Sequence, residues 1–275
     1  MATQTAALSR PVAPVSAGVL LPAFTLWWRE IVRFYRQKSR VVGVLASPLL
    51  FWVVIGSGFG TSFRSGGGQG QQNYLDYFYP GALIMIVLFT SIFTMMSVIE
   101  DRKEGFLLSV LVAPVPRSAI VLGKVLGGTT LSAIQGMIFL IFAPLAGIHL
   151  HPLQVLLVSF VVFFVSFALT ALGFAIAWPM DSTQAFHGII NLFLIPLWLL
   201  SGALFPLSRA SGWIRALMYM NPLTYGVEAL RALLYPGMEA TFPLPSAIAT
   251  LLLFSLVMFG LAFLMANRRS TRPAA

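Results

Sequence analysis

The chain has 275 residues, of which 58% are apolar and only 9% are charged, with a mean hydropathy of +0.89. A soluble domain carries roughly a quarter charged residues, so this composition excludes an ordinary water-soluble protein and indicates a membrane protein. The net charge of +9 fits a topology bias better than nucleic-acid binding. The absence of cysteine excludes disulfides and thiolate metal sites.

Residues 1–22 are rich in Ala, Thr, Val and Pro and carry one basic residue. They lack the apolar core of a signal peptide. We therefore expect a disordered cytoplasmic tail here, and a second short cytoplasmic tail at residues 269–275.

Residues 23–40 form a predicted amphipathic helix before the first span. At about 100° per residue, Arg29, Arg33, Arg36 and Arg40 fall within an arc of about 60°, and aromatic side chains lie opposite. The pattern predicts an interfacial helix, with its aromatic face in the lipid headgroups and its arginines toward the cytosol and anionic lipid. The helix either serves as a topology anchor alone or also contacts a cytoplasmic partner, and the sequence leaves both open.

Six stretches are apolar and long enough to cross a bilayer as helices. Because lipid offers no partner for unpaired backbone groups and no barrel-type alternation is present, all six are predicted helices. Apart from Lys124, which lies near enough to an end to snorkel to the cytosol, no stretch contains an acidic or basic residue. The predicted spans are approximately residues 41–59, 81–99, 119–148, 153–178, 189–205 and 244–266.

The distribution of Lys and Arg predicts the orientation of these spans. With the N-terminus inside, thirteen of the seventeen basic residues fall on the inner side. An even number of spans then returns the C-terminus to the same side. We therefore expect both termini in the cytoplasm.

The segment EDRKEGFLLSVLVAPVPRS, residues 100–118, lies between the second and third predicted spans. The topology places it on the cytoplasmic side, so its charges are expected to face water without buried partners. Phe106, Leu107, Val110 and Leu111 have helical spacing and predict a short helix along the membrane, ended by the prolines that follow. The alternative is an ordinary inner loop whose basic residues only fix the topology.

The connection between the fifth and sixth predicted spans, residues 206–243, is too apolar for a simple loop. Asn221–Pro222 divides it into two short helices, because proline disfavours helix at the preceding residue. Glu228 and Arg231 are spaced for a pair on one helix face. The pieces are predicted to be outer re-entrant or interfacial half-helices, and the alternative is a solvent-facing loop packed on the spans.

The sequence carries no pattern that predicts catalysis, metal binding or a cofactor. A proton-driven carrier or membrane enzyme is expected to place ionisable groups at membrane depth, and none is present there beyond Lys124. His149 and His151 are typical of turn residues rather than metal ligands. Gly123 precedes Lys124 but lacks the remaining residues of a phosphate-cradling loop.

Two glycine pairs have G-x-x-x-G spacing: Gly56 with Gly60, and Gly123 with Gly127. This spacing lets helix backbones approach each other closely. We expect both pairs to lie in helix contacts.

Three features together resemble a known family. They are LSGALFP (200–206) followed by NPLTYGVEALR (221–231), the segment 100–118 leading into Gly123–Lys124, and the aromatic-basic helix before the first span. The chain after residue 22 resembles the permease, or membrane subunit, of type-2 ABC exporters, and among these it is most similar to daunorubicin-resistance-type multidrug permeases.

The resemblance implies an all-α membrane domain over residues 41–268, with six spans, an N-terminal connecting helix and a cytoplasmic coupling helix between spans two and three. It implies a bacterial inner-membrane half-transporter without a catalytic site. A separate cytoplasmic ATPase subunit then binds ATP and Mg²⁺, and two permeases and two ATPases work by alternating access. The residues that the resemblance assigns to ATPase coupling are Glu100, Asp101, Arg102, Glu104, Gly105, Phe106 and Leu107. Those that it assigns to the outer re-entrant motif are Asn221, Pro222, Tyr225, Glu228 and Arg231.

The apolar spans favour a hydrophobic, amphiphilic or lipid-linked substrate. Import instead of export, and a second permease that is a related chain instead of an identical copy, stay open. Two other classes also fit the residues: an autonomous channel or secondary carrier, and a membrane assembly factor without an ATPase partner.

Overall fold

The computed structural model describes residues 18–59, 74–236 and 241–268, without the side chains of residues 39–41, 44 and 45. Most of the predicted N-terminal tail and all of the predicted C-terminal tail lie outside these ranges. Within them, every regular element is helical. The helices are α1 (Leu20–Arg36), α2 (Lys38–Gly58), α3 (Tyr74–Lys103), α4 (Phe106–Val112), α5 (Arg117–Phe139), α6 (Pro152–Ala177), α7 (Thr183–Trp198), α8 (Gly212–Met220), α9 (Pro222–Leu234) and α10 (Leu244–Asn267).

Five of the described helices are long and apolar enough to cross a membrane: α3, α5, α6, α7 and α10. Two of them are extended by tighter or wider turns, α5 by the 3₁₀ turn Leu140–Ala146 and α7 by the π turn Leu199–Ala203. In α2 the apolar part is the shorter stretch Ala46–Gly58. The second to sixth predicted spans are therefore confirmed as helices of membrane-spanning length, and the first stays a prediction.

Some helix bounds differ from the prediction for identifiable reasons. The connecting helix ends at Arg36 because Gln37 has non-helical backbone angles, φ −92° and ψ 75°, so Arg40 belongs to α2. Helix α7 begins well before the predicted residue 189, because the Ser182 hydroxyl accepts a hydrogen bond from the Ala185 N–H at 3.3 Å and caps its first turn.

Helix α3 lies at the centre of the bundle: 22 of its 30 residues are buried, and it packs against α2, α5, α6, α7 and α9. Two tryptophans attach neighbouring helices to it. The Trp52 indole of α2 donates to the Leu75 carbonyl at 3.0 Å, and the Trp198 indole of α7 donates to the Gly81 carbonyl at 2.9 Å. Burying a tryptophan is favourable when its N–H finds an acceptor, so these bonds position both helices on α3.

The glycine pair on α5 permits close contact with α1. A Cβ atom added at Gly123 would lie 2.6 Å from the Leu26 Cβ, and one added at Gly127 would lie 2.8 Å from the Glu30 Cβ. The predicted role of this pair in helix packing is confirmed. Gly56 of the other pair faces Leu75 at 3.1 Å, and its partner Gly60 lies outside the described residues.

A substitution at Gly81 tests the contact between α3 and the end of α7. A Cβ atom there would lie 2.5 Å from the Ala203 Cβ and 2.8 Å from its Cα, so Gly81→Ala forces two backbones apart. We expect a destabilisation of about 1–3 kcal/mol, measured as a lower thermal unfolding midpoint in detergent. Gly260→Ala is the matched control, because this helical glycine has nothing within 4 Å of the added Cβ. Equal midpoints for the two variants would contradict the tight contact.

The two short helices near the C-terminus differ in burial. Helix α9 is almost entirely buried, against α3, α6 and α10, whereas α8 buries only Met218. The chain therefore places α9 inside the bundle and leaves α8 at its periphery, and the two meet at Asn221.

Candidate coupling site

The residues predicted to couple to an ATPase occupy three consecutive pieces of structure. Glu100–Lys103 forms the last turn of α3, Glu104 and Gly105 form a turn, and Phe106 begins α4. Gly105 has φ +77°, a conformation that costs other residues energy because of their Cβ. Glycine at this position lets the chain reverse sharply between the two helices.

Helix α4 packs one face on the bundle. Leu107 is buried in a small apolar cluster with Leu26 of α1 and Ile120 of α5. Leu108 and Val112 are exposed on the other side of α4. The predicted short apolar helix is therefore present, and it bears on both α1 and α5.

Asp101 lies at the centre of an ion-pair network. Its carboxylate is fully buried, at 0% exposure. The Arg29 guanidinium donates to both of its oxygens, at 2.7 and 2.9 Å, and Arg33 donates to one of them at 2.7 Å. Such two-pronged arginine–carboxylate pairs are strong and geometrically specific, so Asp101 fixes the C-terminal end of α3 to α1.

Lys124 joins the same network from α5. Only 1% of its side chain is exposed, and its ammonium donates to Glu30 at 2.6 Å, to Asp101 and to the Ser97 hydroxyl at 3.1 Å. Ser97 in turn donates to the second Glu30 oxygen at 2.7 Å. The prediction that Lys124 snorkels to the cytosol is wrong, because the amine is held by carboxylates from two other helices.

We call this group the ionic cluster. It consists of Arg29, Glu30, Arg33, Glu100, Asp101 and Lys124. Three members are basic and three are acidic, so the cluster is balanced, as a buried group of charges must be. The expectation that the charges of this segment need no buried partners is wrong for Asp101. Glu30, Asp101 and Lys124 are all buried, so this end of the bundle holds three buried ionisable groups.

The predicted arginine stripe divides between two roles. Arg29 and Arg33 turn toward α3, where Arg33 also donates to Glu100 at 2.7 Å, whereas Arg36 is exposed. The Arg40 side chain lies outside the described part of the chain. Arg29 also stacks on the Phe106 ring, 3.6 Å from its centroid, a cation–π contact that ties α4 to the cluster.

Arg102 links the end of α3 to the turn between α6 and α7. Its guanidinium donates to the Met180 carbonyl at 2.7 Å and to the Trp178 carbonyl, and it pairs with the exposed Asp181 at 3.1 Å. The carbonyls at a helix C-terminus lack intrahelical donors, and Arg102 supplies a donor to the carbonyl of Trp178, the C-terminal cap of α6. The segment at residues 100–107 thus contacts α1, α5 and the turn between α6 and α7.

The predicted outer motif lies where α7, α8 and α9 meet. The Asn221 side chain accepts from the Leu223 N–H at 3.0 Å and donates to the Leu197 carbonyl at 2.6 Å. Pro222 occupies the first position of α9, where its missing N–H costs nothing. The Tyr225 hydroxyl donates to the Tyr219 carbonyl at 3.0 Å, which fixes α8 against α9.

A second buried group, the Gly202 cluster, consists of Tyr77, Gly202, Glu228 and Arg231. The predicted pairing of Glu228 with Arg231 is confirmed. Arg231 and the Tyr77 hydroxyl both donate to the Gly202 carbonyl, at 3.0 and 2.9 Å, and the guanidinium lies 4.4 Å from the centroid of the Tyr77 ring. The cluster joins α3, the π turn after α7, and α9.

The two clusters lie at opposite ends of one helix. Tyr77 is near the start of α3 and Asp101 is near its end, which at about 1.5 Å per residue separates them by about 36 Å. Helix α3 is buried over most of its length and joins the two clusters.

Sequence reasoning missed the ionic cluster, although a signal was present. Lys124 is the one charged residue inside a predicted span, and such a residue usually has a partner within the protein. Glu30 and Asp101 are 94 and 23 residues away along the chain, so no local pattern identified them.

His149 and His151 are exposed in the segment before α6, as predicted for turn residues. The Gln154 side chain accepts from the His151 N–H at 2.8 Å and closes the first turn of α6. Among the described residues, no group of three or more His, Cys, Asp or Glu is placed to hold a metal ion.

Comparison with known proteins identifies the family of this chain. The ABC-2 type transporter family model matches residues 23–235. The chain belongs to this family. It is 30% identical over 213 residues to ycf38 of Cyanophora paradoxa, which carries a transport-permease name, covering 76% of this chain and 73% of that one. It is 24% identical over 235 residues to the daunorubicin resistance ABC transporter permease protein DrrB1 of Streptomyces coeruleorubidus, covering 83% and 80%.

A third relative is the inner membrane transport permease YadH of Escherichia coli K12, 26% identical over 214 residues and covering 75% of this chain and 80% of its own. Family members of this kind are membrane subunits without a catalytic site of their own. The protein is therefore an ABC-2 family membrane subunit, and its several apolar helices are those of a multi-pass integral membrane protein.

Proposed function

We propose that this ABC-2 permease is the membrane half of an export system in a bacterial cytoplasmic membrane, powered by a separate cytoplasmic ATPase. It has six spans, with α2 as the first, and both termini lie in the cytoplasm. The working unit contains two permease chains and two ATPase chains, and ATP and Mg²⁺ bind to the ATPase chains. The ATPase docks on the end of α3, the Glu104–Gly105 turn and α4.

The attachment of α4 to three other helices supports this proposal most strongly. A helix of seven residues has little stability alone, and α4 is fixed by Leu107 in its apolar cluster and by Phe106 under Arg29. Because Arg29 also holds Asp101, a force applied to α4 bears on α1 and α3 together. The exposed Leu108 and Val112 leave the opposite face of α4 for the partner.

In the proposed mechanism, closure of the ATPase pair moves α4 and the ionic cluster as one unit. Helix α3 transmits this movement to the Gly202 cluster, where it alters the contact between α9 and the end of α7. The half-helices α8 and α9 then open the outer side. Protein covers the backbone of α9, as membrane-depth helix ends require.

The lining of a small apolar cleft supports the proposal that the substrate is hydrophobic or amphiphilic. It has a volume of about 260 Å³ between α2, α3 and α7, and its lining includes Phe51, Phe89 and Trp198. The name of the relative DrrB1 includes daunorubicin resistance, so an aromatic drug-like molecule belongs to the proposed class, together with lipids and lipid-linked glycans.

Helix α1 is proposed to lie in the cytoplasmic headgroup layer. Leu21, Phe24 and Trp28 are exposed on one side, and a groove of about 490 Å³ beside them is lined by Trp28, Arg33 and Arg36 among others. Exposed aromatic residues beside arginines are typical of helices at an anionic membrane surface.

The test of the proposed function is co-expression with candidate ATPase subunits, beginning with any encoded next to this gene. We expect the purified permease alone to hydrolyse no ATP, and to co-purify with one ATPase in a two-plus-two complex of measurable mass. ATP-dependent uptake of an amphiphilic dye into inside-out vesicles should require both chains. Gradient-driven flux by the permease alone would instead support an autonomous carrier, and an absence of both flux and ATPase binding would support an assembly factor.

Glu104→Lys tests the docking surface without disturbing the fold. The Glu104 side chain is 62% exposed and lies 3.7 Å from Arg33, so its loss should change stability by less than about 0.5 kcal/mol. We expect normal membrane insertion and thermal stability, with reduced ATPase co-purification and reduced ATP-dependent transport.

Gln184→Lys is the control for this variant. It adds a positive charge at an exposed position in the first turn of α7, near Asp181 at the same end of the bundle. ATPase binding at the wild-type level in both variants would place the docking surface elsewhere.

A further inference from the structure

A row of polar side chains runs from the ionic cluster along one face of α3. Thr90, Thr94, Ser97 and Asp101 are spaced i, i+4, i+7 and i+11, which places them on one side of a helix, and all four are buried. At one end of the row, Asp101 contacts Lys124 of α5. The row continues from there toward the middle of α3.

Helix α5 runs antiparallel to α3 and presents a matching face. A Cβ atom at Gly128 would lie 2.7 Å from the Thr94 hydroxyl oxygen, and the Thr90 hydroxyl lies 3.0 Å from the Gln135 side-chain oxygen. From Lys124 to Gln135 the contact extends for about 16 Å, roughly half the thickness of a bilayer hydrocarbon core.

Helix α6 supplies the third side. The Ser91 hydroxyl donates to the Ser166 carbonyl at 3.4 Å, and the Thr170 methyl group would lie 2.6 Å from a Cβ at Gly128. We call this contact the polar seam. It consists of Thr90, Ser91, Thr94, Ser97, Gln135, Ser166 and Thr170.

Three polar atoms of the seam have no hydrogen-bond partner within the described part of the chain. They are Gln135 Nε2, Ser166 Oγ and Thr170 Oγ1, all on fully buried side chains. Exchanging the oxygen and nitrogen positions of the Gln135 amide still leaves one of its atoms without a hydrogen-bond partner. Nε2 could then donate to Thr90, whose own proton goes to the Ile86 carbonyl at 2.8 Å, but the amide oxygen would be left without a donor.

Hydroxyl groups in apolar helices usually donate to a carbonyl of their own helix. Ser159 does so on α6, donating to the Val155 carbonyl at 2.6 Å, and Ser255 does so on α10. Ser166 and Thr170 do not. Because an unpaired buried polar group costs about 1–3 kcal/mol, these hydroxyls need a partner from outside the protein.

We propose that the polar seam is a binding site for internal water. Separate waters along the seam pair with the Gln135 amide and with the Ser166 and Thr170 hydroxyls, since buried water typically makes two to four bonds to such groups. The seam adjoins the ionic cluster, where Ser97 bonds to Lys124 and Glu30.

The seam is closed on its far side. Above Gln135, Gly136 is packed by Val87, Val162 and Leu83, which offer water no hydrogen bond. The proposed water site therefore ends at Gln135.

Hydroxyl-radical labelling by X-ray radiolysis tests the proposal, because radicals form from bound water and oxidise adjacent side chains. Met95 is a natural reporter: it is fully buried, and its ε-methyl would lie 2.8 Å from a Cβ at Gly128. Met218 is the control, since it is equally buried but lies in an apolar cluster with Leu207. With the full-length chain in nanodiscs, we expect Met95 to oxidise several-fold faster than Met218. Equal protection of the two methionines would overturn the proposal.

A double variant, Gln135→Leu with Thr170→Val, removes two of the three unpaired groups. We expect Met95 oxidation to fall toward the Met218 rate, and the variant to fold at least as well as the wild type, because it removes buried polar groups. Ser159→Ala, on α6 like Thr170, is the control and should leave the rate of Met95 oxidation unchanged. An unchanged rate of Met95 oxidation in the double variant would also overturn the proposal. If the double variant does not fold, the comparison of Met95 with Met218 in the wild-type chain decides the question.

Discussion

Asp101→Ala is expected to be the most damaging single substitution at the ionic-cluster end of this ABC-2 permease. It leaves Arg29, Arg33 and the buried Lys124 without their shared carboxylate. Removing one partner of a buried ion pair costs about 3–5 kcal/mol, because the remaining charge is buried without compensation. The thermal unfolding midpoint of the purified protein should fall well below that of the wild type, and co-purification with the ATPase should be lost.

Two further variants test whether the effect of Asp101→Ala comes from the burial of its carboxylate or simply from the loss of an acidic residue. Glu104→Ala removes an acid three residues away that is largely exposed, so it should change the unfolding midpoint little. Adding Lys124→Met to Asp101→Ala removes a buried cation that has lost one of its two carboxylates, restores equal numbers of acidic and basic residues in the cluster, and should recover part of the loss, a non-additive result expected of contacting residues. A wild-type midpoint for Asp101→Ala, or strict additivity in the double variant, would refute the role given to the cluster.

Arg231→Met is expected to have the second largest effect, at the opposite end of α3. The substitution removes the bond to the Gly202 carbonyl and the contact with Tyr77, and it leaves Glu228, 2% exposed, with only the Thr241 N–H at 3.0 Å among its described contacts. We expect a cost of about 3–5 kcal/mol and impaired transport. ATPase docking should survive because the ionic cluster is about 36 Å away.

Arg209→Met is the matched control for this experiment. It makes the same chemical change at an exposed arginine before α8, and a surface change usually stays within about 0.5 kcal/mol. Arg231→Lys keeps the charge but loses the planar fork that reaches Glu228 and Gly202 together, so it should fall between the wild type and Arg231→Met. Loss of ATPase docking in Arg231→Met would mean that the two ends of α3 are not separate functional regions.

The two clusters show which contacts of this protein can be predicted from the spacing of residues within one segment. The pairing of Glu228 with Arg231 was predictable because both residues lie on one turn of one helix, and their spacing fixes their proximity. The short helix α4 was predictable because helical spacing and following prolines define it. The seven residues assigned to ATPase coupling lie in one continuous segment, but their assignment to docking stays a prediction.

The ionic cluster was not predictable in the same way. Glu30, Asp101 and Lys124 lie on three helices, and whether they meet depends on how each helix is rotated and how far it is shifted along its neighbours. The close approach of α1 and α5 at Gly123 and Gly127 brings Glu30 to Lys124. The same rotation turns Arg29 and Arg33 toward α3, whereas the helical pattern alone predicted that they face the cytosol and anionic lipid.

The sequence by itself determined the membrane class, five helices of membrane-spanning length, the short helix α4 and the division at Asn221–Pro222. These follow from hydropathy, length and proline, which act within one segment of chain. Only the tertiary structure decided which charges are buried, which helix is central and where the polar seam lies. Those properties arise from contacts between distant segments, and a low-dielectric interior makes each such contact between charged groups strong.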